Sequence, residues 1–363
     1  MSIFEELINE SCPNGVKFVP LKEIAEMKRG SSLTKAKAKD GPYPVISGGR
    51  KPAFFCDEYN REGEIITIAG SGAGAGFVQY WNERIYANDC FTIKGKKGLL
   101  SKYLYYYLSN IQEKIYDTKK GGGVPHVHIS DVEFFRIPIP PLEVQEEIVR
   151  ILDTFTELTA ELTAELTARK KQYEYYKEYL YMNLDRYSKE KLINIANIKR
   201  GIRVVKKELS VYGEYPVYQN CLAPMGYYDD YNCEGEATYV ISAGAAGEIG
   251  YSSKKFWAAD DCLVINDSKN VINKYIYYYL TKKETYIKSR VRKASIPRLS
   301  REVIEKIEIP LLPIEAQQRI VDILDRFDTL CNDISKGLPA EIEARQKQYE
   351  YYRDKLLTFK EMS

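Results

Sequence analysis

Six letters, KQYEYY, occur twice in this chain, from Lys171 and from Lys347, and each occurrence closes a copy of one long pattern. Ile24 to Gly30 (IAEMKRG) answers Ile195 to Gly201 (IANIKRG), Tyr43-Pro44-Val45 answers Tyr215-Pro216-Val217, and Asp89-Cys90 answers Asp261-Cys262. KYLYYYL from Lys102 answers KYIYYYL from Lys274. Ile137-Pro138, Pro141, Gln145 and Ile148 to Phe155 then answer Ile309-Pro310, Pro313, Gln317 and Ile320 to Phe327. An order of matches kept over roughly 170 residues is a tandem duplication, with a period far too long for a solenoid unit. Each copy is one domain followed by one arm.

The arms carry helical stripes. Apolar residues fall at Ile148, Ile151, Phe155, Leu158, Leu162, Leu166, Tyr173, Tyr176 and Leu180, spaced by threes and fours, which predicts a helix from about Leu142 to Leu184. About 40 residues at 1.5 Å rise span roughly 60 Å, the length of a helix that packs along a partner. The second arm repeats the stripe at Ile320, Ile323, Phe327, Leu330, Ile334, Leu338, Ile342, Tyr349, Tyr352 and Leu356. Two such stripes in one chain most simply bury each other. The first arm also holds a four-residue repeat, TAEL from Thr159 and again from Thr163, whose step of four relaxes left-handed supercoiling. The second instead carries Gly337-Leu338-Pro339, and proline in a helical pattern predicts a kink or break. The stretch from Phe155 to Gln172 is four residues shorter than that from Phe327 to Gln348, so the second arm has about a turn of chain to absorb that break.

Composition bounds the class. With 363 residues, 44% hydrophobic and 29% charged, the chain can bury two cores. No apolar run reaches membrane-spanning length, and Glu5 and Glu6 interrupt any signal-peptide pattern, so a cytoplasmic location is expected. Seven scattered cysteines without a CxxC pair, and two histidines, predict buried thiols rather than a metal site. Between the arms, glycine-punctuated β-rich runs (Glu64 to Ala69, Phe77 to Trp81, Thr238 to Ser242) alternate with helical stretches (Tyr103 to Lys114, Tyr275 to Lys288), which predicts mixed α/β (α+β) domains. The IPIPP and IPLLP strings from Ile137 and Ile309 are extended exits that set up the arm helices.

Catalytic signatures are absent from the sequence. The glycine run Gly70 to Gly76 follows a strand-like stretch but leads into another, Phe77 to Trp81, rather than opening a helix that could hold a phosphate; a tight strand connection is the expectation. No Asn-Pro-Pro-Tyr, Asp-Pro-Pro-Tyr or GxxxxGK[ST] string occurs, and both histidines, His126 and His128, belong to one copy. Thirty-one tyrosines could suggest base stacking, yet Tyr173, Tyr176, Tyr349 and Tyr352 lie on the arm stripes, where packing between arms is favoured.

A variable α/β domain, an IPIPP-type exit and a Q-x-x-IV-x-ILD helix ending in KQYEYY, all repeated once and including the TAEL repeat, resembles the specificity subunit of type I restriction-modification systems. The resemblance covers nearly the whole chain in order. It implies two target-recognition domains separated by two long antiparallel helices, a coiled-coil-like spacer with an internal pseudo-twofold. It further implies partners: double-stranded DNA, two methyltransferase subunits docked on the helices and, where encoded, two restriction subunits. The chain would be non-catalytic and hold no cofactor. S-adenosylmethionine would belong to the methyltransferase, and ATP and Mg to the restriction subunit. The expected segments are an N-terminal segment 1–17, recognition domain 18–141, central helical spacer 142–188, recognition domain 189–313 and C-terminal helical spacer 314–363.

With a net charge of only +2, a DNA surface must come from local clusters. Lys28, Arg29, Lys35, Lys37 and Lys39 in the first copy answer Lys199, Arg200, Arg203, Lys206 and Lys207 in the second. Lys119, Lys120 and His126, around Gly121 to Gly123, answer Arg290, Arg292, Lys293 and Arg298. Arg50 and Lys51, after Gly48-Gly49, share a matching loop with Gln219 and Asn220. Such residues neutralise phosphates or read guanine, and glycine admits close backbone approach. A basic run is also what a solvated face looks like; recurrence in both copies favours DNA. A coiled-coil adaptor with protein-binding ends and a self-contained DNA-modifying enzyme are the competing readings.

Overall fold

The computed structural model describes residues 3–333 and 335–362, and divides into unit 1, Met1–Thr163 with Glu341–Ser363, and unit 2, Ala164–Ala340. In unit 1 the helices and strands are α1 (Ile3–Ser11), β1 (Lys17–Pro20), α2 (Leu21–Ile24), β2 (Ala25–Arg29), β3 (Tyr43–Ile46), β4 (Phe54–Cys56), β5 (Glu64–Ala69), β6 (Val78–Asn82), β7 (Tyr86–Ala87), β8 (Cys90–Gly95), α3 (Ser101–Asn110), α4 (Gln112–Tyr116), α5 (Ile129–Val132) and β9 (Arg136–Ile139). The arm helix α6 (Leu142–Met182) begins here. An antiparallel sheet runs β2-β8-β5-β6, and a smaller mixed one runs β4-β3-β7, with β3 antiparallel to β4 and parallel to β7. Strand alternation divides the core between them. Ile66, Ile68, Phe91 and Ile93 bury against Tyr103, Leu104 and Leu108 of α3, while Ile65 and Cys90 bury with Ile46 and Ala87 of the smaller sheet and with Ile85 before β7. That two-sided burial explains why every β5 residue after Glu64 is buried, where a strand with one wet face would alternate.

Unit 2 repeats the order: β10 (Lys189–Lys191), α7 (Leu192–Ile195), β11 (Asn197–Arg200), β12 (Tyr215–Tyr218), β13 (Gly226–Tyr228), β14 (Ala237–Ile241), β15 (Ile249–Ser252), β16 (Trp257–Ala258), β17 (Cys262–Asn266), α8 (Asn273–Lys282), α9 (Glu284–Ser289), α10 (Arg301–Glu305) and β18 (Glu308–Pro310). Its sheets run β11-β17-β14-β15 and β13-β12-β16, the same two topologies. In each unit the strand entering the domain pairs with the strand leaving it, β1 with β9 and β10 with β18. The single helical stretches expected at Tyr103 and Tyr275 are each two helices, broken where Ile111 (φ −97°, ψ 23°) and Lys283 (φ −86°, ψ 6°) leave helical geometry. Of the seven thiols, all free, five are buried and Cys12 and Cys221 are half-buried.

The arm helices are fastened to their domains by buried polar side chains. Gln145, fully buried, accepts from the Leu100 amide (2.9 Å) and donates to the carbonyls of Gly98 (3.0 Å) and Pro140 (2.9 Å). Gln317 does the same with Ile272 (2.8 Å), Asn270 (3.2 Å) and Leu312 (2.8 Å). Two turns on, Asp153 accepts from Lys102 Nζ (2.7 Å) and Tyr106 Oη (2.5 Å), and Asp325 accepts from Lys274 (2.7 Å) and Tyr278 (2.5 Å). Burial, then the adjacent carboxylate, holds both phenols well above the ordinary tyrosine range.

Each KQYEYY string meets the phenylalanine of the other copy. In unit 1, Phe155 stacks on Tyr352 at 5.3 Å; in unit 2, Tyr173 stacks on Phe327 at 5.6 Å. The expected break falls between α11 (Ile314–Asn332) and α12 (Leu338–Leu356). Pro339 sits at the second position of α12, where its missing N–H costs nothing, and a Cβ on Gly337 would lie 2.3 Å from the Thr329 carbonyl. The Asp333 carboxylate caps the link, accepting from the Ser335 (2.7 Å) and Lys336 (3.2 Å) amides. Ile334, placed on the stripe by its spacing, lies outside the described residues. Beyond α12 the tail returns to unit 1: Leu356 and Leu357 are buried, Val16 donates to the Lys360 carbonyl (2.9 Å), and Met362 donates to that of Val16 (2.9 Å).

Truncating either buried glutamine strands a backbone amide and two carbonyls, so Gln145→Ala and Gln317→Ala should each lower stability by roughly 2–4 kcal/mol in chemical denaturation. Burial pushes the Cys90 and Cys262 thiols up to about 12, so alkylation near pH 8, followed by peptide mass spectrometry, should reach Cys221 well before either.

Candidate nucleic-acid interface

In unit 1 four loops meet at one end of the larger sheet. Strand β2 ends in Lys28 and Arg29, and the chain then turns, with Gly30 donating to the Cys90 carbonyl (2.8 Å) and Ser31 to that of Ala87 (2.9 Å). The glycine run is the β5–β6 connection, the strand turn expected from the sequence. It is stitched to the 119–128 loop by Gly72 N to Pro125 O (3.0 Å) and Val127 N to Gly70 O (3.0 Å), while Lys120 and His126 exchange backbone hydrogen bonds of 2.9 and 2.8 Å. The Gly48-Gly49 loop lies directly on this turn. A Cβ on Gly48 would sit 2.2 Å from the Ser71 carbonyl, and one on Gly74 2.3 Å from that of Gly48, so only glycine permits the approach.

A cleft of about 560 Å3 opens there, lined among others by Arg29, Asn88, Asp89, His126 and His128. The two imidazole rings stack with centroids 6.0 Å apart. Asn88 exchanges hydrogen bonds with the backbone of Leu33 (2.9 and 3.1 Å), which pins the segment that carries the exposed Lys35, Lys37 and Lys39. Gln79 holds the Arg50 carbonyl (2.8 Å), and the exposed Arg50 guanidinium lies 5.0 Å from the Phe77 ring.

Unit 2 builds the same end, keeping the turn after Arg200 and changing the other loops. Gly201 donates to Cys262 O (3.0 Å), Gly244 to Pro297 O (3.2 Å), Leu299 to Ser242 O (2.8 Å) and Ala245 to Asn220 O (2.8 Å), while Arg292 and Arg298 pair through their backbones. Lys199 and Arg200 end β11, exposed, and Arg203, Lys206, Lys207, Asn220, Lys293 and Arg298 are exposed around them; Gln219 is half-buried. Arg290, whose guanidinium lies 5.0 Å from the Tyr286 ring, and Arg292 line a cleft of about 370 Å3 with Ser300, Glu302 and Lys306.

Not every basic residue singled out by sequence is available in the same way. Lys28 is paired with Glu26 at 2.7 Å and, chiefly through that hydrogen bond, holds the Glu26 carboxyl below its usual range. Lys120 is paired with Asp131, and the Lys119 ammonium sits 3.7 Å from the Tyr116 ring centre. Arg29 and His126 do come together in the cleft, and Arg50 and Lys51 stand beside the glycine turn. Sequence reasoning missed Arg61. Its guanidinium donates to the Arg29 carbonyl (2.8 Å), the Asn60 carbonyl (2.7 Å) and Thr92 Oγ1 (2.9 Å), fixing the end of β2. It stands alone in an acidic stretch and has no signal in a search for basic clusters.

Charged, exposed, backbone-braced loops in two copies suit a long polyanion far better than a small substrate. The family described as Type I restriction modification DNA specificity domain matches residues 13–169 and 186–344. A Haemophilus influenzae protein named as a type I restriction enzyme specificity subunit is 32% identical over 95% of this chain and 96% of its own length. The EcoR124I/EcoR124II specificity subunit of Escherichia coli is 31% identical over 99% of this chain and 97% of its own. The crystal structure of a type I restriction-modification S subunit from M. genitalium shares the fold with a TM-score of 0.74 at 20% identity, covering 94% of this chain and 96% of that one. On a family match that spans both copies, and on relatives aligned nearly end to end, the chain belongs to the type I restriction-modification DNA specificity family.

Proposed function

We propose that this chain is the non-catalytic, sequence-reading subunit of a type I complex: residues 18–141 and 189–313 each read one part of an asymmetric, two-part duplex target. Segments 142–188 and 314–363 set the unspecified gap between the parts and dock two methyltransferase subunits, which bring S-adenosylmethionine. A restriction subunit using ATP and Mg joins where one is encoded. The observation that carries the reading is the same four-loop end in each unit, built on one topology but bearing different side chains. A shared frame with different loops is what two different short sequences require. Arg29, Arg50, Lys51 and His126 of unit 1, and Arg200, Arg203, Asn220 and Arg298 of unit 2, are the side chains proposed to reach the duplex first.

On the arms, Tyr175 (65% exposed), Tyr179 (54%) and Tyr351 (63%) stand outside the ring stacks on Phe155 and Phe327. Exposed aromatics on long helices fit a protein partner, where such residues concentrate, so these are proposed as methyltransferase contacts.

Co-expression with the methyltransferase subunit and genome-wide mapping of methylated adenines should return one two-part motif; unmodified DNA from an assembled complex would overturn the reading. Inserting one more TAEL unit after Leu166 lengthens a helix by about 6 Å, and should lengthen the gap while leaving both half-sequences unchanged. Replacing Lys35, Lys37 and Lys39 together by alanine should flatten the dependence of log affinity on log salt by about 2 to 3 in a titration of the assembled complex, with sequence preference kept. An unchanged slope would remove that loop from the interface.

A further inference from the structure

Asp153 and Asp325 have a place in the fold that DNA reading alone does not explain. Each is half-buried on an arm helix and takes two hydrogen bonds from one domain helix, α3 or α8. The same domain helix is already held at its start by Gln145 or Gln317, eight residues earlier on the arm, which is about 12 Å along a helix. One attachment leaves a pivot; two attachments along one axis fix a direction.

The second attachment also reaches the larger sheet of each unit. In unit 1 Tyr106, bonded to Asp153, packs on Tyr105 (5.2 Å), which packs on Tyr80 of β6 (5.5 Å), and the Lys102 ammonium lies 5.5 Å from the Tyr80 ring. Strand β6 is the one that leaves the glycine turn. In unit 2 Tyr278, Tyr277 and Tyr251 of β15 repeat the path at 5.0 and 5.6 Å, with Lys274 5.1 Å from Tyr251. Each path ends on an acid, Tyr80 Oη donating to Glu64 (2.8 Å) and Tyr251 Oη to Glu236. This aromatic and charged relay, which ends on the side of the larger sheet away from the glycine turn, recurs in both units.

We propose that Asp153 and Asp325 are positioning residues that lock the tilt of each recognition domain on its arm, and so fix the gap length that the complex accepts. The proposal rests on the DNA-reading role above. A domain of this length has a radius of gyration of about 13 Å, so a loop about 25 Å from the anchor shifts by one base-pair rise, about 3.4 Å, on a tilt of roughly 8°. Loss of the carboxylate charge leaves the glutamine as a pivot and should admit tilts of that size.

The test uses the full chain assembled with its methyltransferase subunit, and duplexes carrying the mapped half-sequences at the native gap and at one base pair shorter or longer. For Asp153→Asn, the rate at off-length gaps relative to the native gap should rise by about tenfold, the scale of one lost charged hydrogen bond, with the half-sequences still required. Asp325→Asn should do the same, because the chemistry of the two anchors is identical. Tyr106→Phe, which removes one hydrogen bond and keeps the ring, should give a smaller rise in the same direction, and serves if the Asn variants fold poorly. An unchanged off-length ratio in variants whose Tm matches the parent chain overturns the proposal, as does a uniform loss of rate at every gap. A parent complex that yields no two-part motif overturns the DNA-reading role itself, a separate outcome.

Discussion

The buried amides of Gln145 and Gln317 are the fastenings on which the rest of each unit depends. A helix start leaves backbone groups unpaired, and a domain exit through Ile-Pro strands leaves carbonyls facing inward. One primary amide resolves both, offering an acceptor to the first amide before α3 or α8 and donors to a loop carbonyl and an exit carbonyl. With no exposed surface, neither glutamine can exchange these bonds for water. Exit strand, domain helix and arm are thereby held at one point, and the sheets hang from that point through α3 and α8.

Seen from there, the duplication explains itself. Several of the strings that match between copies make contacts between domain and arm: Lys102, Tyr103 and Tyr106 with their counterparts, the glutamines, and the ILD motif that supplies Asp153 and Asp325. Where the copies differ, as between Lys35, Lys37 and Lys39 and Arg203, Lys206 and Lys207, the basic side chains are exposed. Two copies kept alike at the joints between domain and arm, and differing in exposed loops, suit one scaffold carrying two readers.

The same division decided what was legible in advance. The arm helix from Leu142, the break at Gly337-Leu338-Pro339 and the glycine-run strand turn rest on local rules, helical spacing, proline geometry and strand alternation, and the structure has all three. The site was legible only as clusters. Lys120 is engaged by Asp131 and Lys28 by Glu26, because a fold can bring an acid beside any base, and Arg61 earned no notice although it pins the end of β2 from 32 residues away in sequence. Spacing reports which face a residue occupies. It does not report which partner that face meets.

The return of the tail to Val16 has a consequence for biosynthesis. Unit 2, Ala164–Ala340, is continuous in sequence, whereas unit 1 needs Glu341–Ser363, which contributes Leu356 and Leu357 to its core. On a ribosome moving from the amino end, domains generally form in the order they emerge. Here the second half of the message finishes its unit first, and the half made earliest stays open until the last turn of helix leaves the exit tunnel.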